Sequence, residues 1–287
     1  MMRSGVGRLL SALRRSPMLL AGVLMVLAFV SVGVLAPWIA PHDPRADSGI
    51  SYQSPSREHL LGTNDGGADI FSRLVWGSRT TLQVAVLATA LILVIGLAVG
   101  LTAGLRGGLV DTVLMRIVDI FLALPVIPLL LFVAALAERS LALSILMIGL
   151  FTWPQTARIV RSQTLTLRSR GYVANARGFG AGPFYVVTRH LVPTLGPIIG
   201  ANLVFVAGVA VTTEAALSFL GLGDPAAVSW GAEINRALMS RQISFGTLWL
   251  SWLVPFGLAL TLAILGFTLI GVALEPWSNP RWRRSQR

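Results

Sequence analysis

The sequence predicts an all-α integral membrane protein with six transmembrane helices, and three observations support this fold class. Of the 287 residues, 54% are hydrophobic and only 12% are charged, whereas soluble domains carry about 25% charged residues. The mean hydropathy is +0.74. Uncharged stretches long enough to cross a bilayer recur along the chain. Because so few charges cannot cover a globule, most of the surface must face lipid.

Stretches without Asp, Glu or Arg locate the six spans. They run over residues 16–41, 80–105, 120–137, 140–157, 191–213 and 242–274. The last is longer than one span, so we expect its first residues to lie in an external loop. The first follows Arg14 and Arg15 but exceeds the apolar region of a signal peptide, so we expect an uncleaved signal-anchor helix.

The arginines predict the orientation. With both termini in the cytoplasm, sixteen of the 23 arginines lie inside and seven outside, as the positive-inside rule requires. The predicted organisation is a cytoplasmic N-terminus (1–16), a first transmembrane helix (17–40), an external loop (41–79), a five-helix core (80–274) that includes a cytoplasmic loop (161–192), and a cytoplasmic tail (275–287). Two external segments, 37–77 and 221–246, are long enough to form a docking platform or gate, or simply to connect helices.

Composition excludes several kinds of chemistry. The chain has no cysteine and no lysine, so disulfides, thiolate metal sites and the lysine of an ATP-binding P-loop are absent. His42, His59 and His190 are scattered in the sequence, and we expect neither a metal site nor a catalytic set. The basic charge is spread over loops that flank the membrane rather than gathered on one face, so nucleic acid is not expected as a partner.

Two acidic residues in apolar surroundings are candidates for a translocation path or gate. Glu214 lies beside Thr212 and Thr213 in an apolar stretch, where a carboxylate is costly unless it is paired, hydrogen-bonded or hydrated at the end of its span. Asp119 lies three residues after Arg116, and this spacing predicts an intrahelical ion pair.

An ordered set of motifs resembles one family over nearly the whole chain. The motifs are "APWIAPHDP" (36–44), "LGTNDGGADIFSRLVWGSR" (61–79), "MRIVDIFLALP" (115–125), "GYVANARGFGAGPFYVVTRHLVP" (171–193), "EAALSFLGLG" (214–223), "SWG" (229–231) and "NPR" (279–281). In this order they resemble the C-type permease subunit of oligopeptide and dipeptide ABC importers. The resemblance implies the MetI-like fold of type I importers in a bacterial inner membrane. It also implies a second permease subunit, two ATPase subunits that bind ATP and magnesium, and an extracytoplasmic peptide-binding lipoprotein.

The cytoplasmic loop 161–192, here called the coupling loop, is where that family carries its ATPase-docking signature. The resemblance places the signature on Ala174, Asn175 and Ala176, with its glycine at Gly180. The family's glutamate is replaced by Ala174, and the arginine of its external motif by Ala68. No acidic residue occurs between Glu138 and Glu214. The two replacements put the salt bridges usual in the family in doubt, but not the fold.

The residues of the coupling loop support the same role independently. Tyr172, Ala176 and Phe179 share one helical face, and a run of glycines then ends the helix. Small alanines would let the helix approach a partner, with Arg170 and Arg177 at its rim. The competing interpretation is a helix lying on anionic lipid.

The leading functional interpretation is a peptide importer subunit without an ATPase site of its own. Nickel chelates or glutathione are alternative cargoes within the same class. An ion-coupled secondary transporter would show inverted repeats and broken spans in matching halves, and a membrane enzyme would show a catalytic constellation; the sequence indicates neither.

Overall fold

The computed structural model describes residues 16–46, 50–244 and 246–278, and in this part of the chain all regular secondary structure is helical. The predictions for residues 1–15 and for the tail motif 279–281 concern residues outside those described. The helices are α1 (Pro17–Ile39), α2 (Ile70–Arg106), α3 (Gly108–Ala123), α4 (Val126–Leu136), α5 (Leu141–Arg168), α6 (Gly171–Gly178), α7 (Pro183–Val186), α8 (Val192–Phe219), α9 (Trp230–Met239), α10 (Leu248–Ser251) and α11 (Leu253–Ser278). A π-helical turn, Val187–Leu191, joins α7 to α8.

Five of the described helices are long and apolar enough to cross a membrane, and α3 with α4 supplies a sixth span if the bent pair counts as one. The predicted third span, 120–137, lies across the break in this pair, where the helix axes turn by 82°. Pro125 explains the break, because its ring disfavours helical backbone at the preceding residue. Leu124 is accordingly extended, with φ −77° and ψ 134°.

Helix α2 begins ten residues before the predicted span at Thr80. Asp69 caps its first turn by accepting a hydrogen bond from the Ser72 amide. The uncharged stretch in the sequence begins only after Arg79. However, the two arginines in the first ten residues of α2 both have partners. Arg73 forms an ion pair with Glu233, and the Arg79 guanidinium lies over the Trp76 ring at 5.3 Å.

Glycines allow α2 and α5 to pack at close range. Gly96, Gly100 and Gly104 recur every four residues on α2, and a Cβ on any of them would lie 2.6 Å from an atom of α5. Such small-residue stripes let helix backbones approach inside membranes, where hydrophobic burial between helices drives association weakly.

Helix α3 is also fastened to α5. Arg161 makes a bidentate contact with Asp111. The expected Arg116–Asp119 pair is wrong, because Asp119 instead pairs with Arg158 of α5, with Nη2 and Oδ1 2.5 Å apart. Sequence spacing cannot detect this partner, which comes from a helix 39 residues away.

Candidate functional sites

The coupling loop contains the short helix and hinge that the sequence predicts. Helix α6 covers Gly171–Gly178, and Gly180 follows with φ +87°. This conformation favours glycine, because a Cβ would be strained there. The Ala181 amide donates to the Ala176 carbonyl, which completes the turn at the end of the helix.

A single aliphatic side chain anchors α6. Val173 is fully buried in a cluster with Val186, Leu191 and Leu195, which leans on Leu101 and Leu105 of α2. Sequence reasoning missed this anchor. Its signal is simple: Val173 is the only aliphatic residue larger than alanine in α6.

The rest of α6 points outwards. Phe179 is 93% exposed and Tyr172 is 44% exposed, whereas Ala176 on the same predicted face is half-buried. The other exposed candidates are Arg170, Ala174, Asn175, Arg177 and Gly180. Phe184, which sequence reasoning did not single out, is 81% exposed beside them. Two large aromatic rings are therefore presented without cover at one end of the molecule.

The charge of this surface is positive. Within the part of the chain that the structure describes, Arg170 and Arg177 take part in none of the ion pairs, and no acid occurs between Glu138 and Glu214 to provide one. His190 packs between Tyr172 and Tyr185, at ring distances of 5.8 and 5.6 Å. The loop thus holds its aromatic rings in place but leaves its arginines available.

At the opposite end, the two segments that are predicted to be external, 37–77 and 221–246, meet and form one unit with residues 247–252. The described residues of this unit are called the platform here. Glu233 is only 1% exposed and lies 2.6 Å from Arg73 Nη2. Its second oxygen accepts a hydrogen bond from the Trp252 indole. Arg73 also donates to the Pro44 carbonyl. A buried ion pair of this kind needs such extra hydrogen bonds to offset desolvation.

Further contacts connect the same two segments. The Trp230 indole donates to the Leu74 carbonyl at 2.8 Å, and its ring packs directly against Gly77. Arg236 pairs with Asp65 at 3.3 Å, and the hydroxyls of Tyr52 and Ser240 lie 3.1 Å apart. The platform is thus a built structure rather than a pair of independent connectors.

A cavity of about 580 Å³ opens beside these contacts. Its lining is rich in arginine, with Asp224 and Glu233 as acidic members. The arginines that line it are Arg45, Arg73, Arg139 and Arg236. Arg73 and Arg236 are already paired with Glu233 and Asp65, whereas Arg45 and Arg139 belong to no ion pair among the described residues. These two guanidinium groups suit carboxylates, which guanidinium binds in planar, two-point contacts.

Glu214 is buried to 2% exposure, and it is held by serines rather than by Thr212 and Thr213. Its Oε1 accepts hydrogen bonds of 2.7 Å from Ser218 and Ser229. Because Ser229 begins α9, Glu214 fastens the platform to α8. Asp119 is half-exposed at the α3–α5 contact. The two candidate path residues are therefore not brought together.

His190 lies apart from the other two histidines, whereas His42 and His59 come together although they are distant in the sequence. Their rings lie 4.8 Å apart, and both face Asp69. The His42 amide donates to the Ser72 hydroxyl in the first turn of α2, a contact that no local pattern reveals.

Comparisons with known proteins agree with this architecture. The sequence profile of a family described as the inner membrane component of binding-protein-dependent transport systems matches residues 96–284. A second profile, described as the N-terminal transmembrane domain of oligopeptide transport permease C, matches residues 7–59.

Curated relatives cover almost the whole chain. A protein of Brucella suis biovar 1 (strain 1330), named as a peptide transport system permease protein, is 36% identical over 267 residues, which are 91% of this chain and 86% of the relative. The glutathione transport system permease protein GsiD of Escherichia coli O6:K15:H31 is 34% identical over 274 residues, which are 93% of this chain and 88% of the relative.

A solved structure confirms the MetI-like fold. The chain aligns with an inward-facing structure of the MetNI methionine ABC transporter with a TM-score of 0.54 and 22% identity, over 71% of this chain and 97% of the other. With the profiles and the relatives, this establishes that the chain belongs to the family of inner membrane components of binding-protein-dependent transport systems, the permease subunits of ABC importers.

Proposed function

We propose that this permease subunit imports short peptides and is energised by ATPase subunits that dock on the coupling loop. The cargo is supported by the relatives, whose names specify peptide and glutathione transport. Glutathione is itself a tripeptide, so both names indicate the same chemical class. Glutathione and nickel chelates remain the alternative cargoes.

The partners follow from the same proposal. A second permease subunit completes the pathway, and two ATPase subunits bind ATP and magnesium, since this chain has no P-loop lysine. An extracytoplasmic binding lipoprotein delivers the peptide to the platform. The arginine-rich cavity suits acidic side chains on that protein, because complementary charge steers association.

The orientation is part of the proposal. The distribution of arginines supports cytoplasmic termini, with the coupling loop inside and the platform outside. The chain has no cysteine, so single introduced cysteines report sidedness directly. Cysteine at the exposed Arg57 should react with an impermeant maleimide from the periplasmic side, and Arg177→Cys should react only from the cytoplasmic side. The reverse pattern would overturn the orientation.

The observation that carries ATPase docking is the exposure of Phe179 and Tyr172 on a helix whose fully buried side chain is Val173. Aromatic residues are typical anchors of protein interfaces, because they bury a large area with few rotatable bonds. With the family's glutamate absent, we expect Arg170 and Arg177 to meet acidic residues of the ATPase. We expect Asn175 to hydrogen-bond to its backbone.

The test is Gly180→Trp in the assembled transporter. A bulky side chain at this exposed turn should block entry into an ATPase groove. An interface hot spot contributes about 2 kcal/mol or more, so ATPase co-purification and peptide-stimulated ATPase activity should both fall at least about tenfold.

Gly108→Trp is the matched control. Gly108 also has positive φ and open space around it, and it lies at the same end of the molecule outside α6. It tests a bulky side chain at a positive-φ glycine outside α6, so it should remain near wild type. Wild-type coupling in Gly180→Trp would instead support a helix lying on lipid. Equal loss in both variants would assign the effect to strain.

A further inference from the structure

Two histidines and an aspartate come together in the segment that connects α1 to α2. His59 Nδ1 lies 3.0 Å from Asp69 Oδ1, and His42 Nδ1 lies 3.8 Å from Asp69 Oδ2. One potential metal-ligating atom from each of the three residues lies within 4.8 Å of the others. Asp69 and His59 are buried, and His42 is half-buried.

One buried nitrogen of this cluster lacks a hydrogen-bond partner, and its carboxylate has only histidines as ionic partners among the described residues. Among the described residues, the two histidines are the only ionic partners of the buried Asp69 carboxylate. His42 Nδ1 is itself buried and has no hydrogen-bond partner within the described part of the chain. A buried polar atom left without a partner is costly, and this atom points towards a carboxylate that it does not reach.

The surroundings hold all three residues in place. The Ser72 amide donates to Asp69 Oδ2 at 2.7 Å, and the Ser72 hydroxyl accepts from the His42 amide at 3.1 Å. Ser56 fixes the third residue, since the His59 amide donates to its hydroxyl. Outer contacts of this kind orient metal ligands and raise the affinity of a site.

We propose that His42, His59 and Asp69 bind one divalent transition-metal cation, with zinc as the representative ion. Two imidazole nitrogens and one carboxylate oxygen form a donor set that zinc accepts. Calcium and magnesium prefer shells of six or more oxygens, so this set disfavours them. Coordination through Nδ1 requires the neutral tautomer of His59 that carries its proton on Nε2, so a neutral ring changes tautomer on binding and loses no proton.

The three ligand atoms must draw together to hold a metal. Zinc–nitrogen distances of about 2.0 Å place neighbouring ligand atoms about 3.3 Å apart in a tetrahedral site. His59 and Asp69 are already within that spacing, and His42 lies 3.8 Å from Asp69. The three atoms lie within 4.8 Å of one another, so the widest separation must close by at most about 1.5 Å. Three protein ligands leave a fourth position for water.

The site would join three points of the external loop. His42 follows the end of α1, His59 lies in the middle of the loop, and Asp69 caps α2. An ion bound to all three resists separation of α1 from α2 at the platform. This inference does not depend on the cargo or on the ATPase partners.

The test uses the full chain, purified without a polyhistidine tag and stripped with a chelator. Zinc binding is measured by calorimetry, and bound metal is counted by mass spectrometry after dialysis. Cobalt absorption in the visible range then reports coordination geometry. The chain should bind one zinc, and His42→Ala should weaken binding at least about tenfold, since even outer-contact losses cost 10–100-fold.

His190→Ala is the matched control, because it removes the chain's third histidine at the other end of the molecule. Asp43→Asn tests whether any acid of the loop suffices, since Asp43 is exposed next to His42. Both controls should bind zinc like the wild type, and His42→Gln should weaken binding as His42→Ala does. The proposal is overturned if the unmodified chain takes up no stoichiometric zinc, or if His42→Ala binds zinc as tightly as His190→Ala.

Discussion

The platform and the coupling loop differ in where their contacts go. In the platform, the Glu233 carboxylate is 1% exposed and contacts Arg73 and the Trp252 indole. In the coupling loop, Phe179 is 93% exposed, and Arg170 and Arg177 take part in no ion pair among the described residues. One surface is completed by its own chain, and the other presents groups that nothing within the described chain covers.

This difference affects how much conformational freedom each end would lose on binding a partner. A surface that is rigid before binding loses little conformational freedom when a partner arrives. The platform fits that description, because both of its segments share buried contacts. The coupling loop has Val173 as the buried residue of α6, and most of that helix is exposed. The loop leads through the π-helical turn directly into α8.

The largest expected effect comes from breaking the buried ion pair of the platform. Glu233→Ala leaves the Arg73 guanidinium, which is 14% exposed, without its counter-ion. Loss of one partner of a buried pair costs about 3–5 kcal/mol. We expect the lower end, because Arg73 keeps its hydrogen bond to the Pro44 carbonyl. The measurement is the free energy of unfolding of the chain in detergent.

Glu138→Ala is the control for this variant, since Glu138 is an exposed acid that belongs to no described ion pair. It should leave the stability unchanged. If Glu233→Ala unfolds at the same denaturant concentration as Glu138→Ala, the platform is not stabilised by this pair and the contrast between the two ends fails.

A matched pair of glycines sharpens the comparison. A Cβ at Gly77 would lie 2.4 Å from the Trp230 ring, which cannot retreat easily because it is buried and its indole donates to Leu74. A Cβ at Gly178 would meet nothing within 4 Å. Gly77→Ala should therefore cost about 1–3 kcal/mol of stability by overpacking, and Gly178→Ala less than about 0.5 kcal/mol. Thermal unfolding of both variants in the same detergent measures the difference, and equal midpoints would contradict it.

Much of the fold could be predicted from sequence because its causes are local. Apolar length indicates the spans, and the glycines after α6 end that helix. The break at Pro125 also has a local cause, although an unbroken span was expected over 120–137. The start of α2 could not be predicted in this way. The arginines that seemed to exclude it from a span are satisfied by Glu233 and Trp76, one of them 160 residues away in the sequence.

The candidate sites also differ in whether their features come from local sequence patterns or from contacts between distant residues. Exposure of Tyr172 and Phe179 follows from helical spacing on a short helix, so the sequence was enough to single them out. Burial of Val173 depends on α2 and α8, and the meeting of His42 with His59 depends on how the external loop folds over Asp69. Contacts made across long sequence distances leave no periodic pattern to detect.

The smallest expected effect is that of Arg177→Ala, and it tests what the exposed charge of the coupling loop is for. A charge pair at the rim of an interface contributes about 0–1 kcal/mol, so peptide-stimulated ATPase activity should fall by at most about fivefold. Stability should not change, because the side chain is exposed and unpaired within the described residues. Arg106→Ala is the control: it removes the same charge from an exposed position at the same end of the molecule. If the loop docks on acidic residues of an ATPase, Arg177→Ala lowers the activity and Arg106→Ala does not, and added salt reduces the difference by screening. An equal loss in both variants would mean that positive charge holds this end of the molecule to anionic lipid. The exposed charge of the coupling loop would then be explained without an ATPase partner.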